Sequence, residues 1–278
     1  MSLKPILKWA GAKTKVVPHI LALVPPTSKR LVEPFLGSAA VALNLGFDRN
    51  LLADSNPDVV GLYQSLAADP ESFVRECRHL FTTRSNTEDA YYRFRDEFNG
   101  TRDVFRRACL FVYLNRHGYN GLCRYNSKGG FNVPFGKYEA PYFPVKEFAH
   151  MTELVQRSEL QCVDFRALLA DAGAGDFVYC DPPYSPASET ANFTSYAKGG
   201  FSHTDQMELV LACSAAADRG ATVVISNHDT PVTRALYKAA SQIIELRVSR
   251  LISCDGATRT KASELLVVYS NAAFAVAL

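Results

Sequence analysis

Arg30-Leu31-Val32-Glu33-Pro34-Phe35-Leu36-Gly37-Ser38-Ala39-Ala40-Val41-Ala42-Leu43-Asn44-Leu45 reads as a short strand, a proline and glycine turn, and a helical apolar pattern. A second strand candidate, Asn50-Leu51-Leu52-Ala53, ends on Asp54, about 20 residues after the first turn. In a parallel α/β sheet the turn after the first strand approaches a nucleotide-like ligand, and an acid closing the second strand bonds its ribose hydroxyls. Gly37 alone is weak evidence, because no complete G-x-G-x-x-G is present, and Glu33 or Asp54 could be solvated strand ends. The turn and the acid at this spacing favour a nucleoside site.

Strand patterns return at Leu160-Gln161-Cys162-Val163, ending in Asp164-Phe165, and at Phe177-Val178-Tyr179-Cys180. Further ones are Ala221-Thr222-Val223-Val224-Ile225-Ser226, Gln242-Ile243-Ile244-Glu245-Leu246 and Glu264-Leu265-Leu266-Val267-Val268-Tyr269, with helical patterns from Thr204 to Asp218 and Thr230 to Ala240. The expectation is a doubly wound α/β sheet built from residues 1–56 and 145–278. Residues 57–144 differ in character. Their Tyr91, Phe94, Phe98, Phe105, Phe111 and Leu114 recur at helical spacing, as core stripes do, so this stretch reads as an inserted helical domain.

Composition excludes several classes. With 278 residues, 47% of them hydrophobic and 21% charged, the chain is an ordinary globular one. No run of about 18 apolar residues suggests a membrane span, and Met1-Ser2-Leu3-Lys4-Pro5 lacks the apolar core of a secretory signal, so a cytoplasmic protein without a membrane partner is expected. Cys77, Cys109, Cys123, Cys162, Cys180, Cys213 and Cys254 form no C-x-x-C pair and no tight Cys/His cluster, which argues against zinc and against a disulfide framework.

The net charge of +2 conceals an asymmetry. Arg102, Arg106, Arg107, Arg116, Arg124, Lys128 and Lys137 face a single acid, Asp103, between residues 101 and 138. Tyr113, Tyr119, Tyr125, Phe131, Phe135 and Tyr138 are interleaved with them, a pattern suited to a nucleic-acid backbone with stacking or wedging into bases, or else to a solvated basic face. Two extended segments flank Lys128-Gly129-Gly130, a hairpin turn. A hairpin carrying Arg and Asn can enter a major groove, where Arg reads guanine and Asn reads adenine.

Asp181-Pro182-Pro183-Tyr184 closes the strand at Cys180. An exocyclic amine of adenine or cytosine is conjugated with its ring, so it attacks an electrophile only when acceptors draw its hydrogens out of plane. Asp181 offers one acceptor and the Pro182 carbonyl another, and two successive prolines hold both through their fixed φ. Tyr184 can stack on the base. The plainer reading is a proline-rich turn with a helix-capping aspartate. Ser185 to Gly200 reads as a candidate lid, and Thr258-Arg259-Thr260-Lys261 as a second polar loop near a phosphate.

Taken in order, these segments resemble the Dam-type DNA adenine-N6 methyltransferases over nearly the whole chain. Leu7-Lys8-Trp9-Ala10-Gly11-Ala12-Lys13 is similar to the family's opening L-K-W-A-G-G-K, Glu33 to Gly37 to its cofactor turn, and Asp54-Ser55-Asn56 to its ribose-binding strand end. Asn115 to Tyr138 resembles its recognition hairpin and Asp181 to Tyr184 its catalytic motif; Ser226-Asn227-His228-Asp229 also fits. The resemblance implies a Rossmann-like methyltransferase sheet with an inserted helical and hairpin DNA-recognition domain. It implies S-adenosylmethionine as methyl donor, GATC in double-stranded DNA as substrate, no metal and no obligate protein partner.

By matched position, Asp181, Pro182, Pro183 and Tyr184 are implied to be catalytic. Trp9, Ala10, Gly11, Lys13, Glu33, Phe35, Gly37, Asp54, Asp164, Phe165 and Asp181 are implied to meet the cofactor. For DNA, Arg124 is implied to read a guanine and Lys8 another, with Leu122 and Pro134 against thymine methyl groups and Tyr119 as the wedge beside the departing adenine. Arg95, Arg116, Asn126, Asn132 and Lys137 are implied phosphate contacts, and Asn120 and Tyr138 belong to the same surface. Two departures stand out: Ala12 replaces a glycine of the opening motif, and Gly37-Ser38-Ala39 lacks the second glycine of Phe-x-Gly-x-Gly. Each adds a methyl where backbone approaches cofactor, so weakened cofactor binding is expected. Alternatives left by the residues are a cytosine-N4 or RNA amino-methyltransferase, a catalytically silent DNA-binding homologue and, from strand, turn and acid alone, a nicotinamide dehydrogenase.

Overall fold

The computed structural model describes residues 2–11, 13–184, 201–248 and 262–271. Ala12, Cys254, the candidate lid at 185–200 and the polar loop at 258–261 lie outside them. Seven strands, β1 (Arg30–Glu33), β2 (Asn50–Ala53), β3 (Ser158–Gln161), β4 (Asp176–Cys180), β5 (Thr222–His228), β6 (Gln242–Val248) and β7 (Ala262–Tyr269), form one sheet in the order β3-β2-β1-β4-β5-β7-β6. β1 to β5 pair in parallel, and β7 runs antiparallel between β5 and β6. The strand order reverses between β1 and β4. In such sheets a ligand crevice opens there, outside the carboxyl ends of the strands.

The expected doubly wound architecture follows from the side-chain alternation. Leu31, Leu52, Phe177, Tyr179, Val224, Leu266 and Val268 join one buried cluster, while Val32, Leu51, Val178, Cys180, Val223, Ile225, Leu265 and Val267 join a second. Both faces are therefore apolar, and both carry helices. On the first lie α1 (Val17–Leu21), α2 (Ala40–Leu45), α3 (Pro57–Ala68), α4 (Pro70–His79), α5 (Glu88–Gly100), α6 (Val104–His117) and α7 (Val145–Gln156). On the second lie α8 (Phe165–Ala170), α9 (His203–Asp218) and α10 (Pro231–Leu236). The helices that follow β2 share the first cluster with the sheet, so their aromatic stripes are core, as their spacing predicts.

Several element ends differ from the sequence pattern by one or two residues, with β5 running on to His228 and β7 beginning at Ala262 among them. The third strand is Ser158–Gln161 rather than 160–163, because it pairs with β2 from Asn50↔Ser158 to Ala53↔Gln161 and ends where β2 ends. The helix expected from Thr230 to Ala240 stops at Leu236. Among the described residues no helix is long and apolar enough to cross a membrane, and no group of three or more His, Cys, Asp or Glu could hold a metal ion. The six described cysteines are free thiols, and Cys162 is exposed rather than core.

Ala39 adopts the left-handed conformation, with φ 58°. For a residue with a Cβ that conformation costs roughly 1–2 kcal/mol. Its methyl is nevertheless 1% exposed and belongs to the first core cluster, where it finds packing partners. The extra methyl is thus accommodated inside the fold.

Candidate active site and nucleic-acid interface

Local hydrogen bonds shape the turn after β1. Gly37 has φ 47°, which a residue without Cβ adopts freely, and its N–H donates to Asp54 Oδ2 at 2.8 Å. Asp54 Oδ1 accepts the Asn56 N–H at 2.9 Å, and Asn56 then caps α3. The carboxylate closing β2 is thereby locked to the turn closing β1. Tyr63 of α3 donates its hydroxyl to the Gly37 carbonyl at 3.1 Å from beneath. Above the turn lies Trp9: a Cβ added at Gly37 would stand 2.7 Å from its Nε1. Gly37→Ala is therefore expected to displace Trp9 and to lower stability by about 1–2 kcal/mol from backbone strain alone. Trp9 is the single tryptophan of the chain, so intrinsic fluorescence reads its displacement; an unshifted spectrum with unchanged unfolding would refute the close approach.

Acids accumulate at this edge. Glu33, 2% exposed at the end of β1, accepts the Ala42 N–H at 3.1 Å. Burial pushes its carboxyl well above the usual range, and Asp181 and Asp54 add repulsion. Burial also raises Asp54, against the pull of the Gly37 and Asn56 N–H groups. Asp181 is raised by burial too, and Lys13 opposes that rise. Lys13 Nζ lies 2.9 Å from Asp181 Oδ1, donates to the Gly11 carbonyl at 2.8 Å and sits 4.7 Å from the centre of the Tyr184 ring. The structure thus gathers Trp9, Gly11, Lys13, Glu33, Gly37, Asp54, Asp181 and Tyr184 around the switch point. Phe35 and Phe165 stack at 5.5 Å beside them, with Phe201 edge-on to Phe35 at 5.7 Å. Asp164 instead caps α8 through the Arg166 N–H and pairs with the Arg166 side chain on an exposed face.

Asp181 caps no helix among the described residues, which counts against the capping part of the plainer reading of the tetrapeptide. Two residues that sequence reasoning passed over support it. Gln206, buried on α9, donates to the Pro183 carbonyl at 3.0 Å and is tied through Asn227 to the Tyr237 hydroxyl. Glu264 on β7 accepts the Tyr184 hydroxyl at 2.7 Å and lies 3.5 Å from Lys13 Nζ. The usable signal for Glu264 was topological: a strand inserted antiparallel begins at the edge where parallel strands end. His228, opposite Glu264 in the ladder, packs edge-on against Tyr184 at 4.2 Å.

The hairpin exists as two isolated antiparallel bridges, Gly118↔Phe135 and Tyr125↔Phe131, rather than a ladder of strands. Asn126 Oδ1 accepts from the N–H groups of Lys128 and Gly130 and so closes the turn. Arg124 is exposed and held by Asn132, whose Oδ1 accepts from Arg124 Nε at 2.8 Å. Tyr119 is 45% exposed, and Asn120 donates its N–H to the Tyr138 hydroxyl at 3.0 Å. Lys8 reaches this surface, its Nζ 4.1 Å from the centre of the Tyr138 ring. Asn115 secures it by bonding the Lys8 N–H and carbonyl, both at 2.8 Å, and the Gly121 carbonyl at 3.0 Å. Pro134 and Lys137 are exposed, while Leu122 packs partly against the core.

The basic window is less available than its count suggests. Arg106 pairs with Glu97 at 2.7 Å and Arg107 with Asp58 at 2.5 Å. Arg116 is 7% exposed and donates to the Ile6 carbonyl, so it staples the N-terminal segment and is not placed to meet a phosphate. Its neighbours excluded water when α6 packed into the core, and a buried guanidinium takes the acceptors within reach. Arg95 lies against the Tyr92 ring at 4.5 Å, with Nη1 3.4 Å from the Val133 carbonyl. Arg102, Arg124, Lys128 and Lys137 remain exposed.

Comparison with known proteins gives a concordant picture. The family described as D12 class N6 adenine-specific DNA methyltransferase matches residues 9–252. A DNA adenine methylase of Vibrio cholerae serotype O1 is 45% identical over 268 residues, covering 96% of each chain. The protein of that name from Escherichia coli strain K12 is 45% identical over 266 residues, 96% of this chain and 95% of its own. That from Serratia marcescens is 44% identical over 267 residues, 96% of this chain and 98% of its own.

Proposed function

Because the chain belongs to the D12 class N6 adenine-specific DNA methyltransferase family, we propose that it methylates N6 of the adenine in GATC within double-stranded DNA, using S-adenosylmethionine. The observation that carries this reading is the joining of the Gly37–Asp54 turn to Asp181 and Tyr184 at one edge of the sheet.

The donor set fits the cofactor. Glu33, Asp54 and Asp181 lie within reach of mutual repulsion, and among the described residues only Asp181 of the three pairs with a cationic side chain. A cluster of buried carboxyls whose ionisation burial opposes suits a cationic sulfonium ligand bearing ribose hydroxyls, which would favour their charged forms. Trp9, Gly37 and Asp54 would hold it, with Phe35 and Phe165 nearby. S-adenosylmethionine, when bound, supplies the methyl group on an already activated centre.

The protein's own residues then act on the adenine. The base must leave the stack to reach this edge, at a cost of a few kcal/mol that contacts in the pocket offset. Asp181 and the Pro182 carbonyl accept the two N6 hydrogens and free the lone pair from conjugation, while Tyr184 stacks on the ring. Gln206, through the Pro183 carbonyl, keeps the prolyl pair in register. Forming the N6–methyl bond requires one N6 proton to leave, for which the hydrogen-bonded Asp181 carboxylate is the first acceptor; catalysis otherwise rests on positioning and on stabilising the positive charge that develops at the amine. Residues 57–144 serve as the target-recognition domain. Arg124, pre-set by Asn132, reads a guanine; Lys8 reads another, Leu122 and Pro134 meet thymine methyl groups, and Tyr119 wedges into the vacated stack.

DNA from a host lacking GATC methylation, digested with a methylation-sensitive enzyme before and after expression of this chain, tests the proposal. Full protection with N6-methyladenine as the modified nucleoside is expected; N4-methylcytosine, or label only in RNA, would refute it. In the same assay Arg124→Ala should lose about 1–3 kcal/mol of discrimination at one base pair.

A further inference from the structure

Glu264 is a second carboxylate of the site, brought there by strand order alone. β7 runs antiparallel beside β5, so its early residues lie at the edge where β4 and β5 end. The Glu264 side chain is 13% exposed, and its Oε1 accepts from Tyr184 at 2.7 Å and stands 3.5 Å from Lys13 Nζ. Lys13 is meanwhile 2.9 Å from Asp181 Oδ1. One ammonium thus stands between two carboxylates, nearer the one the reaction needs.

That arrangement works against methylation of an amine at Asp181. A lysine paired with Asp181 Oδ1 leaves Oδ2 for the N6 hydrogen but offsets the charge of the carboxylate and opposes the positive charge developing on nitrogen. Releasing Lys13 without a partner would leave a buried ammonium uncompensated. Glu264 removes that obstacle, because the ammonium needs only a short shift to exchange one carboxylate for the other.

We propose that Glu264 is a positioning residue of the methyl transfer, receiving Lys13 when the adenine amine claims Asp181 and holding the Tyr184 hydroxyl throughout. The inference rests on the adenine-N6 reading above and deepens it. Its two roles are separable: Glu264→Gln keeps an acceptor for Tyr184 but loses the charge, whereas Tyr184→Phe loses that hydrogen bond and keeps the charge.

Single-turnover methylation of a GATC duplex, with calorimetric titration of S-adenosylmethionine and of duplex, tests this on the full chain. E264Q should slow the transfer step by roughly 10-fold to 100-fold, the range typical of partners that act through a reactive group. Affinity for both ligands and the unfolding midpoint should stay near those of the unaltered chain. Glu264→Asp, which restores the charge on a shorter arm, should recover part of the rate, and Tyr184→Phe should slow transfer less than E264Q. The groups facing Asp181 include Lys13, Glu264, Tyr184, Tyr179 and Glu33. With Glu264 neutral, Lys13 stays on Asp181 and one repulsion disappears, so the acid limb of the rate profile should move to lower pH. An active unaltered chain with an equally active E264Q overturns the inference alone. So does a rate loss explained by weaker ligand binding or a lowered unfolding midpoint. An unaltered chain that leaves the adenine unmethylated overturns the reading beneath it.

Discussion

Asp181→Ala is expected to lower adenine methylation roughly 10³-fold, the upper range for deleting one preorganised partner of a developing charge, with duplex affinity largely kept. In the proposed mechanism the carboxylate is the acceptor that pulls an N6 hydrogen out of the ring plane, and no neighbouring acid can replace it without moving. Glu33 is buried against the Ala42 N–H, Asp54 is held by Gly37 and Asn56, and Glu264 is engaged by Tyr184. The variant should still fold. Burial raises the Asp181 pKa in the folded state, so the native protein binds that proton more tightly than the unfolded chain does. Ionising it therefore weakens the fold as pH rises from the ordinary carboxylate range through the raised value. Removing it lifts that cost while Lys13 keeps Glu264 at 3.5 Å as a partner, so the unfolding midpoint at neutral pH should change little. Methylation persisting in the folded variant would remove Asp181 from the mechanism.

Arg107→Ala is expected to destabilise the fold by about 3–5 kcal/mol, as breaking one half of a buried ion pair does. Asp58, 6% exposed at the start of α3, accepts from Arg107 Nε at 2.5 Å and Nη2 at 3.1 Å, and from the Tyr125 hydroxyl at 2.6 Å. The same guanidinium donates to the Phe98 carbonyl at 2.5 Å and lies 3.9 Å from the centre of the Phe98 ring. One arginine thus joins α3, α5, α6 and the hairpin. Deleting it leaves a carboxylate in the core with a single phenol as partner. Denaturant unfolding measures the loss, and adding Asp58→Asn should recover part of it because no unpaired charge then remains. A loss below about 1 kcal/mol would place Arg107 among surface ion pairs instead.

Local structure was legible in the chain, and long-range partnership was not. Arg30 to Leu45 and Asn50 to Asp54 disclose their structure because strand, turn and helix depend on neighbours a few residues apart, and the strands fall at Arg30–Glu33 and Asn50–Ala53. Asp181 to Tyr184 could be proposed as a site for the same reason: the chemistry proposed for it resides in adjacent residues. Charge partnership is not local. Arg106, Arg107 and Arg116 look like Arg124 in a list of basic residues, yet the first three are engaged with Glu97, Asp58 and the Ile6 carbonyl.

The apolar alternation along the strands, with the proline and glycine turns between them, was enough to specify a doubly wound sheet and to mark the strand end at Asp181 as a candidate site, since periodicity and backbone restriction act over short stretches of chain. Which arginines stay exposed, and that Glu264 shares Lys13 with Asp181, depended on packing distant segments together. Ion pairs form between whatever charges the core brings within a few ångström, and β7 reaches the active edge only because it is inserted antiparallel between β5 and β6.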